Sequence, residues 1–292
     1  MKKNASAYLF MSGYLILFIT FIVVPVAAGV GMSLTYWNTI QPPRFVGLKN
    51  YIDLFTVDRE FMQHVIPNTL KFSFFAGIGG YVMAFAMAWI LAQLTRIPRA
   101  VLAIILYSPS LTGGVVMSAI WRTLFSGDEY GYLNNLLLSW GLVDAPVQFL
   151  QSPDYLMNIM IIVAIWTSMG IGFLAMLAGI LNVNPELYEA GAIDGIKSRL
   201  QEIFHITIPS MKPQMLFGAV MAVVGTFNAS GAGGQLSGQM PAPVYAKLVV
   251  THIEDHGFLR YEMGYAAAVS VSLLLMIYYL SRIAFKAFSE KD

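Results

Sequence analysis

His252 and His256 stand four residues apart, the spacing at which two imidazoles share one helix face. A metal site is the sharper reading of that pair, and two exposed loop histidines the expected one. The remaining histidines, His64 and His205, are scattered, and cysteine is absent, so neither a disulfide nor a thiolate metal site is available. Not one Gly-Lys pair occurs, so the chain has no Walker A loop and is not itself an ATPase. A Ser–His–Asp elbow, a His-Glu-x-x-His run and a carboxylate pair within the apolar segments are all missing, which makes an intramembrane enzyme a poor fit. The densest set of chemistry-bearing side chains is "NPELYEAGAIDGIKSRLQEIFHITIP", Asn184 to Pro209. It is a charged, glycine-punctuated passage between two strongly apolar segments.

The elements around that passage must be membrane spans. Of 292 residues, 57% are hydrophobic and 11% charged, against roughly 45–50% and 25% in soluble domains. Mean hydropathy is +0.66. A net charge of +1 with no basic stripe gives nucleic acid nothing to bind. Six stretches reach the length of about 20 apolar residues that a bilayer demands: about 8–34, 69–94, 100–124, 156–181, 209–230 and 264–285. Formal charge is almost absent from their interiors, as an insertion penalty of roughly 2.5–3.5 kcal/mol per charge requires. The run from Tyr8 is longer than a signal-peptide core and lacks a small-x-small cleavage site, so it reads as a retained first span. The expected fold is an all-α membrane protein of six transmembrane helices. Residues 1–68 form the first span with its outer loop, 69–285 the core, and 286–292 a tail.

Lys and Arg near the span ends set the orientation. Lys2, Lys3, Arg96, Arg99, Lys197, Arg199, Arg282, Lys286 and Lys291 all fall on one side if the N-terminus is cytoplasmic. The longer connections, 35–68, 125–155 and 231–263, fall on the other. The middle one carries Asp128, Glu129, Asp144 and Asp154 with no Lys or Arg. Both termini and the 184–209 loop are therefore expected in the cytoplasm.

Within the loop, Asn184 is a helix cap, Pro185 suits the first helical position and Glu186 the positive dipole end. Leu187 to Asp194 reads as two helical turns ended by Gly195. A second short helix follows, about Ser198 to His205, before Pro209 opens the next span. Glu186, Glu189 and Ile193 lie along one side, and Ala190 with Gly191 leave room for another surface to approach. Docking is favoured over a solvated linker, which has little use for such caps.

Glu189-Ala190-Gly191, then Gly195, then Ile206-Thr207-Ile208-Pro209 resembles the EAA signature of binding-protein-dependent ABC importer permeases. That signature is Glu-Ala-Ala, three residues, Gly, nine residues, Ile, one residue, Leu-Pro. Here Gly191 replaces the second Ala, ten residues separate Gly195 from Ile206, and Ile208 replaces Leu. Phe45-Val46-Gly47-Leu48-Lys49-Asn50-Tyr51 and Gly131-Tyr132-Leu133-Asn134 are similar to segments of the carbohydrate, maltose-type members. The Leu187-Tyr188-Glu189 lead-in looks like the first of their two permeases.

The resemblance implies a type I ABC importer permease fold with a cytoplasmic coupling helix between spans 4 and 5. It implies a multi-pass protein of the bacterial cytoplasmic (inner) membrane, in contact with lipid. The implied partners are a second homologous permease, two ATPase subunits and an extracytoplasmic solute-binding protein, with no nucleic acid. ATP and Mg would belong to the ATPase, and no cofactor to this chain. Glu189, Ala190, Gly191, Asp194, Gly195, Ile206 and Pro209 would form the coupling element. A sugar pathway would need hydroxyl, amide and aromatic groups near the midplane. Thr112, Trp166, Ser168, Thr226 and Asn228 are the candidates. Each has a structural alternative, since Ser and Thr in spans bond their own helix backbone and Trp anchors interfaces. The rival class is a proton-coupled secondary transporter, which ordinarily buries ionisable residues in its spans. These spans lack them.

Overall fold

The computed structural model describes residues 5–112 and 114–288, most of them helical. Lys2, Lys3, Lys291 and the last residues of the expected tail lie outside the described residues. The chain divides into two compact units, Met1–Gln63 with Val249–Leu275, and His64–Leu248 with Met276–Asp292.

The opening apolar run forms α1 (Ala5–Phe18), a π-helical turn (Ile19–Val23) and α2 (Val24–Ser33). Pro25 explains the π-turn. It has no N–H to offer one turn back, and the wider winding just before it absorbs the misfit. The same pairing recurs at Phe61–Val65 before Pro67 and at Ile203–Thr207 before Pro209. After α2, strands β1 (Thr35–Tyr36) and β2 (Arg44–Phe45) pair antiparallel, and α3 (Lys49–Thr56) follows. The buried Asn50 amide donates to Ser33 O at 2.8 Å and Thr35 O at 2.9 Å, and Tyr51 OH donates to Ser33 Oγ at 2.7 Å. The Gly47–Tyr51 segment thus fastens the end of α2, satisfying carbonyls that the helix leaves open.

The second unit contains α4 (Ile66–Ala92), α5 (Arg96–Leu111), α6 (Gly114–Leu124), α7 (Tyr132–Ser139), α8 (Leu156–Thr167) and α9 (Ile171–Leu181). The 184–209 loop supplies α10 (Pro185–Ile193), α11 (Arg199–Glu202) and the start of α12 (Ile208–Ser210). Then come α13 (Lys212–Phe227) and α14 (Ala232–Ser237). α4 packs against α8, α9 and α13. Small residues let those backbones close up: a Cβ on Gly80 would stand 2.7 Å from Ser168 Cβ, and one on Gly172 3.3 Å from Gly218 Cα. Lipid tails are as apolar as the side chains, so such close packing is what holds spans together. Around it Phe72, Phe173, Met176, Leu156 and Met211 are fully buried. Asn134, with no exposure, closes the 126–147 loop by donating to Ser126 O and Val147 O and accepting from Val147 N–H.

Among the described residues, three helices are long and apolar enough to reach across a bilayer: Phe10–Ser33, Phe61–Ala92 and Met263–Ile283. The count rises to five if two bent pairs, α5 with α6 and α8 with α9, are each one span. The second pair bends by 45° at Ser168–Gly170, where Gly170 N–H turns to Ser168 O. α13 has 16 residues and is about 24 Å long at 1.5 Å per residue, shorter than the expected 209–230 span.

Back in the first unit, α15 (Val249–Glu254) is followed by a π-turn (Asp255–Leu259), and α16 (Met263–Phe288) begins there. Here one expectation fails. His252 and His256 are not exposed loop histidines: they are 0% and 7% exposed. The cause is Asp58, distant in sequence, whose Oδ2 lies 3.1 Å from His252 Nε2 and accepts from Tyr265 OH, while its Oδ1 accepts from Phe61 N–H at 2.8 Å. Burial alone would raise the Asp58 carboxyl, but those hydrogen bonds outweigh it and hold the group well below the usual carboxylate range. His256 Nδ1 bonds Glu262 Oε2 at 2.7 Å, and burial nonetheless pushes its imidazole below the ordinary value. Arg260 reaches Asp255 at 2.9 Å beside them.

Candidate functional site

α10 begins as its sequence dictates. Asn184 Oδ1 accepts from Glu186 N–H at 3.1 Å, its Nδ2 donates to Glu186 Oε2, and Pro185 fills the first turn. At the far end Asp194 N–H bonds Ala190 O, and Gly195 takes φ +95°, where an L side chain is strained. Ile196 N–H then returns to Gly191 O at 2.9 Å. Ser198 and Gln201 form a reciprocal capping box for α11. The ten residues between Gly195 and Ile206 are thus a turn, α11 and most of a π-turn, whose wider winding takes up a residue relative to an α-helix.

The two faces of this loop differ. Inward, Gly191 is buried, and a Cβ there would stand 2.7 Å from Ile206 Cδ1 and 3.1 Å from Ile196 Cδ1. Tyr188 OH and Thr207 Oγ1 are 3.0 Å apart, and Ile206 is buried beside them. The room at Gly191 is therefore taken by the loop's own second half. Outward stand Glu189, Ala190, Asp194, Gly195 and Pro209, all exposed. With them are Ile193, already expected on this side, at 87% exposure, and two large apolar side chains that the spacing alone did not single out, Leu200 at 67% and Phe204 at 65%.

Among α4, α5, α8, α9 and α13 lies a cavity of about 470 Å³. Ser168 and Thr226 line it, as do Tyr81, Tyr107, Ser110 and Thr167, which were not on the sequence-derived set. Thr112, Trp166 and Asn228 do not line it. Trp166 instead meets Trp121 edge to face with ring centres 6.3 Å apart, and Thr112 Oγ1 bonds Ser108 O. The hydroxyls inside are partly committed to backbone: Thr226 donates toward Ala222 O and Val223 O, and Ser168 toward Ile165 O at 2.7 Å. A hydroxyl that donates to backbone keeps acceptor capacity, so each can accept from a solute hydroxyl. Replacing Asn228 with Ala is accordingly expected to leave uptake affinity within about twofold of wild type, since a surface substitution away from the site shifts energies by roughly 0.5 kcal/mol or less. Concentration-dependent initial uptake rates check this.

An apolar helical bundle with a cavity among its helices and a capped, exposed polar loop is the build of a membrane permease. No family model matches the chain. The arabinooligosaccharides transport system permease AraP of Bacillus subtilis (strain 168) is 30% identical over 287 residues, covering 98% of this chain and 89% of that one. Two solved structures share the fold. A bacterial ABC transporter that imports the acidic polysaccharide alginate matches with a TM-score of 0.77 and 25% identity, over 98% of this chain and 96% of its own. A bacterial alginate ABC transporter in complex with an alginate pentasaccharide-bound periplasmic protein matches with a TM-score of 0.79 and 24% identity, over 97% and 93%. The chain belongs to the family of ABC transporter permeases of carbohydrate transport systems. Its relatives are transporter permease subunits, not enzymes.

Proposed function

We propose that the chain is one of two homologous permease subunits of an ATP-driven importer that moves a sugar or oligosaccharide delivered by an extracytoplasmic binding protein. It sits in the bacterial cytoplasmic membrane with six spans, the fifth built on α13, and with both termini inside. The 184–209 loop docks on one of the two copies of a separate ATPase. Closure of the ATPase dimer around ATP pushes α10, and rocking of the spans turns the cavity from one side of the membrane to the other.

The outward face of the loop carries this reading. Ile193, Leu200 and Phe204 stand exposed in a segment otherwise polar and capped at both helices. Large apolar side chains left exposed on one short polar loop mark a protein contact. Glu189 and Asp194 lie at its rim as charged partners, and Gly195 holds the turn. Saccharide as the cargo follows from the cargo named for AraP and the alginate transporter, and it suits a cavity lined by Tyr107, Tyr81 and several hydroxyls.

The test is reconstitution of the purified complex in proteoliposomes. Uptake that needs ATP and the binding protein, and survives an uncoupler, supports the importer. Uptake that proceeds without an ATPase subunit and collapses with the uncoupler assigns the chain to secondary transport instead.

A further inference from the structure

Asp58, His252 and His256 each offer one donor atom, and the three donors lie within 4.8 Å of one another. The surroundings orient them. His256 Nδ1 lies 2.7 Å from Glu262 Oε2 and donates to it, so in the neutral imidazole Nε2 carries a lone pair. That Nε2 lies 4.0 Å from Asp58 Oδ2, itself an acceptor. Two acceptors across such a gap repel, and a proton or a metal ion between them relieves this. His252 Nε2 lies 3.1 Å from the same oxygen, and its ring is held between Phe61 and His256 with centres 5.4 and 4.4 Å away.

We propose that Asp58 Oδ2, His252 Nε2 and His256 Nε2 bind one zinc-type divalent transition-metal ion. Bonds of about 2.0–2.1 Å to nitrogen and oxygen put tetrahedral donors about 3.3 Å apart, between the 3.1 and 4.0 Å separations found here. Three protein donors leave the fourth position to water. Two imidazoles and a carboxylate suit zinc, cobalt or nickel, whereas calcium and magnesium take mostly oxygen. Outer partners of a metal site are in place for two of the three ligands, while His252 Nδ1 is buried with no hydrogen bond of its own among the described residues. Glu262 fixes the His256 tautomer, and Tyr265 OH and Phe61 N–H hold the Asp58 carboxylate. Glu262 and Tyr265 also line a cavity of about 210 Å³ with Trp37 and Asp53. The ion would tie the segment before α4 to α15. That role is independent of how the 184–209 loop is used.

The experiment is a titration of the chelator-treated, purified transporter complex in nanodiscs with Co²⁺. One equivalent is expected to give the visible ligand-field band of a four-coordinate site, which Zn²⁺ removes and Ca²⁺ does not. The variants Asp58→Asn and His256→Gln keep polar groups in place, and each is expected to weaken binding at least about tenfold, the scale on which a lost ligand or its supporting partner acts. Zn²⁺ is expected to raise the melting temperature of the wild type and not of the variants. Absence of the band in the wild type overturns the proposal by itself, whatever the variants do. A band that persists unchanged in both variants overturns it too, because the ion is then bound elsewhere.

Discussion

Gly195→Asp is expected to abolish ATP-driven uptake while leaving the permease in the membrane at wild-type amounts. Gly195 adopts φ +95°, and no neighbouring heavy atom would lie within 4 Å of an added Cβ. The cost is therefore backbone strain and charge, with no steric clash to unfold the bundle. Holding a residue with a side chain in such a conformation costs about 1–3 kcal/mol. The chain can relieve it by releasing the turn, and the Ile196 N–H bond to Gly191 O would go with it. A shift of that size depopulates the docked geometry roughly 5- to 150-fold. A new carboxylate next to Asp194 and the exposed Ile193 adds a charge at the rim of the patch, where desolvation is costly.

Gly195→Asn separates the two contributions, because Asn, like Asp, can enter left-handed backbone but brings no charge. It is expected to retain a measurable part of the uptake. Transport in vesicles, with membrane content followed by immunoblot, reads both variants. Uptake at the wild-type rate in Gly195→Asp would remove the loop from the coupling path.

What could be read from the sequence was local. Asn184, Pro185, Gly195 and Ser198 act on backbone groups within a few positions, so their spacing already contains the interaction. The sidedness of the loop was not local. Gly191 is visibly small, but only the packed position of Ile206 decides that its open side is filled from within. His252 and His256 give the sharpest case. Their partner, Asp58, is separated from His252 by 194 residues, and no periodicity reports a contact of that range. The breaks in the helices fall between these extremes. Pro25, Pro67 and Pro209 are legible as interruptions, yet the π-turn before each is a compromise between proline and continued packing. The candidate pathway residues divided for a related reason. Ser168 and Thr226 face the packed junction of α4, α8 and α13, whereas Trp166, two residues before Ser168, is carried to another face of the same helix. Polarity within a span marked the candidates, and only helix phase decides which of them line the cavity.

Gly225→Phe is expected to stop uptake while ATPase subunits and the second permease still copurify. Gly225 lines the cavity on α13, and a Cβ there would meet nothing within 4 Å. Phe improves on the helix propensity of Gly, so α13 itself gains. A ring there, however, takes up space in the cavity that Ser168, Tyr107 and Thr226 also line, space that a solute ring would need. A sugar pyranose and a phenyl ring are comparable in size, so one excludes the other. Gly225→Ala is the matched control, and it is expected to transport at close to the wild-type rate because a lone methyl leaves most of the cavity open. A drop of at least about tenfold for Phe, corresponding to 1.4 kcal/mol or more, with near-normal rates for Ala, places the solute in this cavity. Equal and normal uptake in both variants excludes the cavity from the route. Loss of uptake together with loss of the second permease from the purified complex would show that the Gly225 face is a subunit contact instead, so copurification is measured alongside the rates.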